Sequence, residues 1–205
     1  MAPLEPSAPQ RRAWRLAYLL TGLNSEAASR LAMQTARPGG GGGGGADLAR
    51  LDRQVVLAAR LWSRSGKAIR GAAADQSHEP LRSGDSPAAS LLRAVLALPR
   101  QALEVWVLTR LDELGELHVA RAMDCSKTAA KAHLRRAEAV LSESKVQTPG
   151  ALAELRAALD SVDPAPWITA AAERRRKVRR RKAAMGALAV VALGLAGAAL
   201  AGQFL

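Results

Sequence analysis

Apolar positions recur at three- and four-residue spacing along the chain, the period of amphipathic helices. In "RRAWRLAYLLTG", Ala13, Leu16, Ala17 and Leu20 fall on one face and predict a first helix. A second helix follows in "TGLNSEAASRLAMQTA", where Asn24 or Ser25 can act as the N-cap. It stops at Pro38 and the glycine run 39–45, a slack connection, because each glycine loses more backbone entropy on ordering than any other residue. Leu48, Leu51, Val55, Ala58 and Trp62 then form a 3-4-3-4 stripe and predict a third helix, with Arg53, Arg60 and Arg64 off the stripe. The polar, Gly/Pro-broken segment "GAAADQSHEPLRSGDSPAA" reads as a linker between domains.

The next block, from Ser90 to Leu141, contains helical segments separated by short breaks. Pro99 opens one where a missing amide costs nothing, and Val105, Leu108 and Leu111 give it an apolar face beside Trp106. "LGE" interrupts it. Val119, Ala120 and Met123 face inward from the next short helix, and "MDCS" makes a tight turn in which Asp124 can take a left-handed conformation. Ser126 can cap the helix after it. There Ala130, Leu134, Ala137 and Leu141 make a 4-3-4 stripe, while Lys127, Lys131 and Arg135 recur every four residues on another face, flanked by Thr128 and Arg136. Two short helices, a tight turn and a basic outer face fit a helix-turn-helix, whose second helix enters a major groove. They equally fit a small bundle with a solvated basic face.

Toward the C-terminus, Thr148 before Pro149 signals a helix carrying Leu152, Leu155 and Leu159, either for packing or for binding a partner. It ends at "DPAPW". Residues 183–205 are uncharged, with only Gln203 strongly polar, and are long enough to span a bilayer as a helix. Immediately before them stand Arg174, Arg175, Arg176, Lys177, Arg179, Arg180, Arg181 and Lys182, the flank expected on the cytoplasmic side. The spacing of Gly194, Ala198 and Gly202 would permit close pairing of two such helices in a homodimer.

Composition changes this picture in one respect. The net charge of +12 resembles a nucleic-acid footprint, but the run Arg174 to Lys182 holds eight of the 30 basic residues, leaving 22 against 18 acidic ones. The excess is therefore local. Strand formers are scarce, with one Tyr and one Phe, so the expected class is all-α. The opening "MAPLEPSAPQRRAW" has no apolar core, so no signal peptide is expected. The single Cys125 excludes an internal disulfide and reads as a small apolar residue in the turn. Trp14, Trp62, Trp106 and Trp167 read as packing anchors, one per segment. No nucleophile–base pair, phosphate loop or metal-ligand cluster is legible, so no enzyme activity, catalytic residue, cofactor or metal is expected.

The segment from Leu98 to Ala137 resembles the promoter −35-binding domain, region 4, of sigma-70-type factors, especially the extracytoplasmic-function group. The matching residues are Leu98-Pro99, Glu104-Val105, Leu108, Leu114, Ala120, Lys131, Leu134, Arg136 and Ala137. "AYLLTGLNSEAASRL" is similar to the opening of region 2. The chain departs from the pattern at the region 2 acidic-and-glutamine motif, at Asp124 in place of the turn glycine, and at Ala129-Ala130 in place of Thr-Val. The resemblance implies a divergent sigma factor that binds promoter DNA and RNA polymerase core, and it admits an anti-sigma partner. It implies DNA contacts by Ser126, Lys127, Thr128, Lys131, His133, Arg135 and Arg136.

The expected organisation is a region 2-like domain over 1–70, a linker over 71–88, and a region 4-like domain over 89–145. A helix and linker over 146–172, a basic juxtamembrane segment over 173–182 and a transmembrane helix over 183–205 complete it. The expected location is the cell inner membrane, single-pass, with the N-terminal domains cytoplasmic. The eroded region 2 pattern leaves a second reading, a membrane-tethered scaffold that sequesters polymerase or another regulator.

Overall fold

Single residues that cap or break helices set the architecture in the computed structural model, and no strand occurs among the described residues. The structure describes residues 5–36, 45–64, 84–146, 148–178, 180, 181, 183 and 185. Helix α1 (Ala8–Leu20) begins where the Ser7 amide donates to the Gln10 side chain at 2.9 Å. Helix α2 (Ser25–Thr35) is capped by Asn24, which accepts from the Ala27 amide at 2.8 Å. After α3 (Gly45–Arg64), α4 (Pro87–Leu96) starts on a Ser86 cap with Pro87 in its first turn, two residues before the expected domain boundary. Helix α5 (Arg100–Trp106) widens into a π turn over Val107–Leu111, and the chain breaks at Asp112 to Gly115, where Glu113 is left-handed. Helices α6 (Glu116–Met123), α7 (Lys127–Glu143) and α8 (Pro149–Asp160) follow, α8 on a Thr148 cap.

Helix α1 is buried nearly all round, through Ala13, Trp14, Leu16, Ala17, Tyr18, Leu19 and Leu20. It packs on α2 and α3; α3 packs on α6, α7 on α5 and α6, and α8 on α4. Buried side chains from before and after the 71–88 segment join in one continuous core. Trp14 and Trp106 are its largest fully buried members, so truncating either to alanine would cost about 3–5 kcal/mol.

Helix α3 is rotated relative to the stripe in its sequence. Leu51 and Val55 are buried, but Leu48 is exposed and Ala58 and Trp62 are only half-buried. Ala49, Asp52, Val56 and Ala59 are buried instead. Ion pairs account for the turn. Arg12 of α1 grips the buried Asp52 at 3.0 and 2.9 Å. Burial pushes the Asp52 carboxyl upward against the opposing pull of Arg12, while the hydrogen bonds that Arg12 donates to Asp52 raise the Arg12 guanidinium. Arg60 reaches across to the buried Glu104 of α5, which also takes Arg100 at 2.8 Å. Arg60 and Arg100 in turn donate to the carbonyls of Met123 and Leu20. Arg15 joins Asp112 at 2.5 Å and Asp160 at 2.7 Å, tying α1 to the break after α5 and to α8.

The segment after α8 corrects the expectation of a linker. Asp163 accepts from the Ala165 amide at 2.9 Å, and helix α9 runs over 165–178, with 180, 181, 183 and 185 also helical. Ile168, Ala171 and Ala172 are buried, and Trp167 stacks on Trp14 at 5.6 Å. The spacing of these residues gives α9 an apolar stripe, which docks it rather than leaving it a tether. Among the described residues no helix is long and apolar enough to cross a membrane. Most of the 183–205 segment, including Gly194, Ala198 and Gly202, lies outside them, as do residues 39–44 and 71–83.

Candidate nucleic-acid interface

Helices α6 and α7 are held by a turn built from three residues. Asp124 has φ 56° and ψ 48°, the left-handed conformation expected of it. The Asp124 amide donates to the Arg121 carbonyl at 3.3 Å and the Cys125 amide to the Ala120 carbonyl at 3.0 Å. This is the double bond pattern of a Schellman ending, with aspartate where glycine is commonest. Ser126 then caps α7 by accepting from the Ala129 amide at 3.1 Å. Ala130, Ala137 and Leu141 are buried against α5 and α6, and Leu134 is half-buried. Two of these buried positions, 130 and 137, carry alanine.

The predicted contacts of α7 lie largely on its exposed side, with only Thr128 and Arg135 directly opposite the buried stripe. Lys127, Thr128, Lys131, Arg135 and Arg136 are exposed, and His133 is half-buried. Thr128, Ala132, Arg135 and Ala139 lie opposite the buried stripe, by the 100° step of a helix. Lys131 pairs with Glu116 of α6 at 3.1 Å, both more than half exposed, a contact worth about 1 kcal/mol or less. Lys127, Arg135 and Arg136 have no ion pair among the described residues. Ser126 is engaged as a cap, which gives it a structural task.

The dense basic run lies elsewhere and divides in two. Arg174 faces Glu26 at 3.5 Å and Arg175 donates to the Met33 carbonyl at 3.1 Å, so both hold α9 against α2. Arg176, Lys177, Arg180 and Arg181 are exposed. Arg179 and Lys182 lie outside the described residues.

Packing of α3 on α6 adds residues that the sequence reading did not place here. Arg50 and Arg53 of α3 stand beside Arg121 and the α6–α7 turn, around an open groove of about 720 Å³. Arg53 pairs with Asp124 at 2.9 Å. The off-stripe position of Arg53 signalled an exposed side chain, but only the tertiary contact of α3 with α6 brings it to the turn. Cys125 lines the same groove, and burial raises its thiol pKa, which leaves little reactive thiolate at neutral pH. No family model, curated protein or solved structure matches the chain.

Proposed function

We propose that this chain is a membrane-anchored, divergent sigma-factor-like transcription regulator that reads promoter DNA with α7 and associates with RNA polymerase core. The observation that carries this reading is the α6–turn–α7 unit. Its second helix is capped, packed through small residues and turned outward with Lys127, Thr128, Lys131, Arg135 and Arg136. Arginine and lysine on such a face suit guanine edges and phosphates, and Ala132 and Ala139 leave room for thymine methyls. The basic residues past Arg175, followed by the uncharged 183–205 segment, fit a cytoplasmic juxtamembrane flank and a single span. Each basic residue near an anionic leaflet adds roughly 1 kcal/mol of attraction.

A second reading has its own support. Glu104, held by Arg60, and Asp112, held by Arg15, join the two sequence halves into one core, as suits a protein-interaction scaffold that keeps the fold without using promoters. Duplex selection from a random pool with the full chain in neutral detergent separates the two. A transcription factor enriches a motif and binds it at least about a thousandfold tighter than bulk duplex. A scaffold enriches nothing.

A further inference from the structure

Helix α3 belongs to the half of the chain that carries no helix-turn-helix, yet its N-terminal half borders the α6–α7 turn. The groove between them draws cations from three helices: Arg50 and Arg53 from α3, Arg121 from α6 and Lys127 from the first turn of α7. Arg50 and Arg121 are exposed and have no ion pair among the described residues. Ala49, Leu117 and Ala120 give the groove an apolar floor, with Leu117 more than two-fifths exposed. One anionic group interrupts the ring, the carboxylate of Asp124, and Arg53 covers it at 2.9 Å.

We infer that this groove seats a DNA phosphate backbone beside the duplex face read by α7, so that α3 is a second, sequence-independent arm of the interface. The inference rests on the DNA-binding reading above and extends it. A duplex lying on the exposed face of α7 carries one of its strands past the N-terminal end of that helix, where the first helix of such a motif crosses the backbone. The groove adjoins that end of α7 through Ser126 and Lys127 and is open to solvent, as a polyanionic chain requires. Contacts of this kind orient the protein on the duplex and carry no sequence information. Asp124 is the brake: its charge repels phosphate and occupies Arg53.

The test is the salt dependence of binding by the full chain in neutral detergent, read by anisotropy on two unrelated duplexes from about 50 to 200 mM salt. Arg50→Gln and Arg121→Gln should each lower the magnitude of the log K against log salt slope by about 1, equally on both duplexes. Asp124→Asn keeps a residue that tolerates the left-handed turn, removes the repulsion and frees Arg53. It should tighten binding about three- to tenfold, a gain that misfolding cannot produce. If wild type binds both duplexes but the glutamine variants leave the slope unchanged, or Asp124→Asn fails to tighten binding, the groove is not a phosphate seat and the α7 reading stands without it. If wild type binds neither duplex, the DNA-binding reading fails and the groove proposal with it.

Discussion

Glu104 has no solvent exposure, yet it holds two guanidinium groups, Arg60 of α3, 44 residues upstream, and Arg100, one turn earlier in its own helix. Removing it would leave Arg60 and Arg100 facing each other at the core edge. Since both are partly exposed and can rehydrate, the Glu104→Ala variant is expected to lose about 3 kcal/mol, below the limit for a fully buried pair. Chemical denaturation of the full chain in detergent measures it. The sequence marks Glu104 only as part of a Glu-Val pair, and nothing local identifies a partner so far upstream. Ser126 and Asp124 were legible because caps and left-handed turns depend on neighbours in the chain. Ser126→Ala should cost about 1 kcal/mol, measured the same way. For Cys125, burial raises the thiol, so its stabilising contribution is present below the ordinary thiol pKa and is lost as pH rises through the raised value. At about pH 8 its alkylation should run several-fold slower than that of free cysteine and recover on unfolding.

At the scale of elements, periodicity located the helices and their inner faces wherever apolar burial alone decided the rotation. The stripes of α5, α6 and α7 face inward as the spacing predicts. Helix α3 turned away from its stripe because Asp52 and Arg60 meet partners in α1 and α5, and charge pairing at long range has no periodic signature. Helix α9 was hidden by composition: a short stripe of Trp167, Ile168, Ala171 and Ala172 sits between a Pro-rich break and a basic run. Its docking depends on the Trp14–Trp167 stack, a pair worth about 0.5–1.5 kcal/mol beyond burial. Trp167→Ala is therefore expected to speed tryptic cleavage after Arg174 and Arg175 about two- to tenfold, as the docked population falls. Unchanged cleavage would mean that Arg174 and Arg175 hold α9 without the stack.

Across the whole molecule, one core joins the segments that the sequence divides, and the candidate interface is a product of that union. The α7 face was legible from its four-residue basic spacing. The meeting of Arg50 and Arg121 in one groove beside it was not, because that requires α3 to pack on α6. The dense run of arginines, which holds most of the net charge, spends Arg174 and Arg175 on α2 and points the remaining described ones outward. Charge density and the proposed DNA surface are thus separate places on this chain. The most direct test of the proposed function is run-off transcription with core RNA polymerase and the full chain in neutral detergent, on templates carrying the motif enriched by duplex selection. Co-purification with core enzyme is expected, together with discrete transcripts that a Lys131→Ala/Arg135→Ala variant loses. Absence of both polymerase association and specific initiation would contradict the proposed function.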